Sequence, residues 1–131
     1  MLTQRKEMIM ANPNRRAGLL FLQIDGVMQE AKGDFTYNLG NAKRDPIIGA
    51  DAVHGYKETV QVSFIEGAIT DARTLNLDKL TNVDDATVTL ELANGKTIVL
   101  SKAWFAAEGS PSTGEAEIAV RFESRSKAQE V

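Results

Sequence analysis

The sequence predicts a mainly β protein: one domain, a sandwich or barrel of about six to eight strands with one short helix. Three observations predict it. Apolar and polar residues alternate with a period of two at 34–39, 56–66, 85–102 and 115–123. The dipeptides Asp25-Gly26 and Asn94-Gly95 stand between apolar runs, where hairpin turns need positive φ angles. Helical spacing is confined to Asn76–Val83.

Composition narrows the classes of function. At 131 residues, 43% hydrophobic and 25% charged, the chain is sized for one domain with a real core. It has no cysteine, which removes disulfides, thiolate metal sites and a cysteine nucleophile. No apolar run approaches the ~20 residues of a spanning helix, so membrane insertion is not expected. Net charge is −3, unevenly spread. Residues 1–16 carry four basic side chains against one acid, whereas 17–123 carry nine against sixteen. An acidic body of this kind lacks the clustered Lys and Arg of a tight nucleic-acid binder.

Taken in order, residues 1–16 read as a flexible basic segment. A natural start at Met8 or Met10 is expected, because Arg5-Lys6-Glu7 can be encoded by a purine-rich ribosome-binding stretch. Gly18–Ile24 is a strand apolar on both faces, expected to be covered on both sides. Asp25-Gly26 turns it into a return strand over Val27–Ala31. In Asp34–Leu39, Phe35, Tyr37 and Leu39 share a dry face. In Tyr56–Glu66, Val60, Val62 and Phe64 are read as the dry face, and the strand runs on to Asp71.

Between these two arms lies a long excursion over residues 40–55. A tight hairpin needs two to five residues there. The segment mixes charge (Lys43, Arg44, Asp45, Asp51) with Pro46, Ile47, Ile48 and Val53. A solvated linker has no need of Ile-Ile, so it is read as an irregular loop docking on another subunit. The docking set is Lys43, Arg44, Pro46, Ile47, Ile48, Val53, His54 and Tyr56.

In the helix, Asn76 is the N-cap and Asp78 sits favourably in the first turn, with Leu77 and Leu80 on one face. Val88, Leu90 and Leu92 alternate before Asn94-Gly95, and Thr97–Leu100 returns. After a Gly/Ser/Pro-rich turn over Glu108–Gly114, residues Ala116, Ile118, Val120 and Phe122 alternate with a wet face of Glu115, Glu117, Ala119, Arg121 and Glu123. Residues 124–131 read as a frayed polar tail.

Signals for chemistry are weak. His54 with Asp51 has the look of a base and its orienting acid, but no nucleophile motif accompanies it and no second histidine completes a metal site. Asp51, Glu66 and Asp71 bind a hard cation only if the fold gathers them. No enzyme, cofactor or metal is therefore expected. The competing class is a monomeric β-sandwich binding a small ligand or glycan, with Trp104, Phe105 or Tyr56 as a stacking platform.

The blocks FTYNLG (35–40), KRDPIIGADAVHGYKETVQVSFIEGAITD (43–71), DATVTLELANGKTIVLSKAWFA (85–106) and GEAEIAVRFE (114–123) resemble the tail tube proteins of Mu-like contractile-tailed bacteriophages. The resemblance runs from about Arg16 to Glu123. It implies the β fold shared with type VI secretion tubes, six-membered rings stacked into a hollow tube, and passage of DNA through it. It further implies contacts with the tail sheath, tape-measure and tail-completion or baseplate proteins. The expected location is the virion tail, and the host bacterial cytoplasm during assembly. Glu58, Glu91, Glu115, Glu117 and Glu123 are then the pool for an acidic lumen, with Glu91, Glu115 and Glu117 preferred because Glu58 is in register with Val60 and Val62.

Overall fold

The computed structural model describes residues 20–131. The basic segment 1–16, its expected start site and the beginning of the first strand lie outside them.

Among the described residues ten strands and one helix follow in order: β1 (Phe21–Ile24), β2 (Val27–Gln29), β3 (Ala31–Asn38), β4 (Lys43–Ile48), β5 (Val53–Thr59), β6 (Ser63–Thr70), α1 (Leu77–Thr81), β7 (Ala86–Glu91), β8 (Thr97–Phe105), β9 (Glu117–Ser124) and β10 (Gln129–Glu130). Seven strands form one antiparallel path, β2-β1-β7-β8-β9-β6-β3, and β10, added to β8, is the eighth strand of the sheet. The two ends of that path, β2 and β3, are consecutive in the chain. The strand thus leaves one end of the sheet and enters the other, with Thr70 N–H donating to Glu30 C=O at 2.7 Å beside the crossing.

The second corner is β8. It pairs with β7 along one edge, and its other edge is divided between β10 (at Ile98 and Val99) and β9 (at Trp104 and Phe105). Lys102, at φ 52°, marks the irregularity at which the strand bends from one sheet to the other. Strands that switch sheets at bulges make the corners of a rolled sandwich.

The core lies between the two sheets. Leu22, Val88, Leu90, Ile98 and Leu100 from one side meet Ile65, Ile69, Ile118, Val120 and Phe122 from the other, all essentially inaccessible. Each such side chain contributes about 1.5–3 kcal/mol by leaving water. The Phe105 ring meets Phe122 edge-on at 5.7 Å.

Turns follow local chemistry. Asp25 (φ 51°) and Gly26 (φ 81°) both take the positive φ of a two-residue hairpin, and Asp25 Oδ1 accepts the Thr87 N–H at 2.8 Å. Asn76 caps α1 by accepting the Lys79 N–H at 3.1 Å, and Leu80 anchors the helix in the core.

Three expectations are corrected. First, β6 buries Ser63, Ile65 and Ile69, the phase opposite to Val60, Val62 and Phe64. Val60 is 92% exposed, and the supposed single arm is broken at 60–62 into β5 and β6. The shift rests on a buried Ser63 whose hydroxyl faces the C=O groups of Ser124 (3.1 Å) and Ser126 (2.6 Å). Second, the tail is not frayed. Ala128 is buried and donates to Leu39 C=O at 2.9 Å, and Val131 exchanges backbone bonds with Thr97. Third, Ala116 is exposed at φ 52°, before β9 begins.

Candidate functional site

The excursion between β3 and β6 is an antiparallel hairpin with one register shift, between Ile47 and Ile48, not an irregular loop. β4 and β5 pair from Lys43↔Thr59 to Ile48↔Val53 and form a two-stranded sheet of their own. The alternation in β4 is concealed in the sequence because each face mixes charge with apolar groups. Directly opposed residues share a face. One face therefore carries Arg44 with Glu58, Pro46 with Tyr56, and Ile48 with Val53; the other carries Lys43 with Thr59, Asp45 with Lys57, and Ile47 with Gly55.

The first face is the apolar one. Ile48 (72% exposed), Val53 (66%) and Tyr56 (53%) present their side chains to solvent. At its inner end Arg44 lies 3.6 Å from Glu58 and stacks its guanidinium 4.7 Å above the Tyr56 ring. The second face is polar, with Lys43 3.7 Å from Asp45. Ile47 is thus separated from Ile48 by the ribbon, and the docking set divides between two faces.

The tip is a tight turn. Gly49 N–H donates to Ala52 C=O at 2.8 Å, and His54 Nε2 lies 3.0 Å from Asp51 Oδ1. The imidazole packs so closely on Gly49 that a β-carbon there would collide with it. This accounts for His54 and Asp51 as the brace of a turn. Glu66 and Asp71 are elsewhere, and no group of three or more Asp, Glu, His or Cys placed to hold a metal is found among the described residues.

At its base the hairpin is held by the body. Gly40 N–H donates to Asn38 Oδ1 at 2.8 Å, Gln61 donates to Asn41 C=O at 3.0 Å, and the ordered tail reaches Leu39 through Ala128.

The nominated acids separate. Glu91 is at the end of β7, opposite Phe21 and Thr97, on the outer face of the β1-β7-β8 sheet. Glu117 opens β9 on the outer face of the β3-β6-β9 sheet, 3.6 Å from Lys32 Nζ, and the C=O of the preceding Glu115 accepts a hydrogen bond from the same ammonium. Glu58 belongs to the hairpin. Glu66 was not nominated, yet it stands on the Glu117 face, and Arg121 joins it to Glu123. The clue was its place in β6, which the misread phase turned inward.

The aromatic platform of the competing class is not assembled. Phe105 packs inward on Phe122, Trp104 lies opposite Glu123 on the outer face, and Tyr56 is on the hairpin. Among the described residues no helix is long and apolar enough to cross a membrane.

Comparison with known proteins agrees with this architecture. The family model described as phage tail tube protein matches residues 13–129. The tail tube protein of Escherichia phage Mu is 26% identical over 102 residues, which are 78% of this chain and 86% of that protein. Among solved structures, the sheath/tube terminator of an extracellular contractile injection system (PVC, extended state) superimposes with a TM-score of 0.59 at 14% identity. It covers 86% of this chain and 92% of its own. At that identity the likeness is one of fold.

Proposed function

The chain belongs to the phage tail tube protein family, structural proteins of the phage tail, and from that premise we propose how it assembles and what it conducts. Copies of the chain form six-membered rings, and the rings stack into a hollow tube inside a contractile sheath. DNA passes through the tube into the host. Tape-measure and tail-completion or baseplate proteins meet it at its ends. The protein works by shape and surface and needs no catalysis.

The observation that carries this reading is the hairpin. Among the described residues β4 and β5 pair only with each other, and they show Pro46, Ile48, Val53 and Tyr56 to solvent. A lone two-stranded ribbon is marginal in water, and an exposed apolar surface of this kind marks a contact. The hairpin rises between adjacent strands of the body, so it is suited to reach a subunit in the next ring. The mechanism is association by a contact that does not close on itself, which builds a filament, beside one that does, which builds the ring.

For the lumen wall we propose the outer face of β3, β6 and β9. Its strands carry Glu66, Glu117 and Glu123 against Lys32 and Arg121, and each cation there is ion-paired. On this proposal Glu117 is a wall acid, the Glu115 backbone adjoins it at Lys32, and Glu91, on the other sheet, is not part of the wall.

The test is to replace residues 43–59 by a short turn joining β3 to β6. The body should still unfold cooperatively, because no body strand pairs with the hairpin, while electron microscopy should find no long tubes. Long tubes from the deleted protein would overturn the docking role.

A further inference from the structure

Arg121 sits at the centre of the proposed wall, held by three neighbours. The register places Glu66 directly opposite Arg121, and Phe64 directly opposite Glu123. Arg121 Nε donates to Glu123 Oε2 at 2.7 Å, and Nη1 donates to Glu66 Oε2 at 3.0 Å. The guanidinium carbon stands 4.0 Å from the centre of the Phe64 ring. Two edges of the cation are taken by carboxylates and one face by an aromatic ring, and the group as a whole carries one net negative charge. The hydrogen bond to Glu123, the larger influence, and that to Glu66 hold the guanidinium above its ordinary pKa, so it stays charged.

We propose that Glu66 and Glu123 mask Arg121, keeping its guanidinium from gripping the phosphates of DNA moving past the wall. This rests on the reading of the β3-β6-β9 face as lumen. An arginine fork is the side chain best matched to a phosphate. Every phosphate it neutralises tightens binding by releasing counterions, which opposes sliding. The arrangement gives the wall a rigid, half-buried cation already committed to two carboxylates. The second cation on these strands, Lys32, is treated likewise by Glu117. Neutralising two acids also lessens the general repulsion of a polyanion, so only the part of the gain that depends on Arg121 supports the mask.

The experiment compares the wild-type chain, Glu66→Gln with Glu123→Gln, and the triple variant that adds Arg121→Gln. Each is titrated as soluble subunits with a short labelled DNA duplex at low and high salt. The double variant should bind on the order of tenfold more tightly than wild type at low salt, and lose the gain at high salt. The triple variant, one negative charge short of wild type, should lose most of that gain. Glu66→Gln alone, at an exposed site, should give a smaller gain and covers the case in which the double variant does not fold. No gain in either, or a gain that survives removal of Arg121, overturns the mask. The lumen reading is tested separately in tubes of Ala119→Cys, since the chain has no other cysteine. Ala119 lies on the wall between Glu117 and Arg121. A small maleimide should label it and a polymer-bound maleimide too wide to enter should not. Labelling by the wide reagent overturns the lumen reading, whereas the titration alone decides the mask.

Discussion

The rolled body and the β4–β5 hairpin are both antiparallel sheet, yet they are stabilised by opposite means. In the body every strand of the main path except the short β2 turns at least one residue into a shared core. In the hairpin no side chain is fully buried, and all of β5 is exposed. The body specifies itself: a one-residue slip would turn its whole apolar set outward. The hairpin has only cross-strand pairs, each worth about 0.2–1 kcal/mol, and a base clamped by Gln61 and the C-terminal tail. One region is built to fold, the other to be completed by something outside the subunit.

The largest loss of stability is expected in the body. Phe122 is inaccessible and meets Phe105 edge-on. Phe122→Ala should cost about 3–5 kcal/mol, read as a lower midpoint of chemical denaturation. Loss of under ~1 kcal/mol would mean that the two sheets do not share the core described.

A smaller effect is expected where the body is locally capped. Asn76 satisfies the Lys79 N–H at the start of a five-residue helix. Asn76→Ala should cost about 1 kcal/mol, and Asn76→Asp should recover most of it, since a carboxylate serves both the cap and the dipole. Equal loss in both variants would place the role of Asn76 outside capping.

How legible each region was in the sequence follows from the same difference. Strands β7 and β9, the Asp25-Gly26 turn and the Asn76 cap could be read because one face is dry and one wet, or because a turn demands its residues. The β7–β8 connection proved to be a three-residue loop, with Leu92 N–H bonded to Lys96 C=O and Gly95 at φ 93°. The phase of β6 was misread because Val60 and Val62 are apolar and exposed, while Ser63 is polar and buried by virtue of hydrogen bonds to tail carbonyls distant in sequence. Those bonds depend on the tail, and the tail was misread because its order rests on backbone pairing with β8 and on one buried alanine. The hairpin was invisible as a strand pair because hydrophobic patterning reports burial within the subunit, and the hairpin has none. Its Ile, Val and Tyr residues were still informative: apolar groups that the subunit leaves exposed are the sequence trace of a contact made elsewhere.

The smallest expected effect on folding is also the sharpest test of that contact. Ile48 and Val53 are directly opposed on the apolar face of the hairpin, and Ile47 is on the other face. Ile48→Asp together with Val53→Asp should change the stability of the body by no more than ~0.5 kcal/mol, as expected for exposed positions away from a core. The same pair places two carboxylates in the proposed contact, where burial of an unpaired charge is prohibitive. Assembly should therefore fail in a protein whose denaturation curve matches wild type. Ile47→Asp, alone on the polar face, should leave assembly largely intact. Electron microscopy of the three proteins at equal concentration reads the outcome. Tubes from the double variant as abundant as wild type would show that the apolar face is not the contact. Loss of tubes in Ile47→Asp alone would move the contact to the opposite face of the same ribbon.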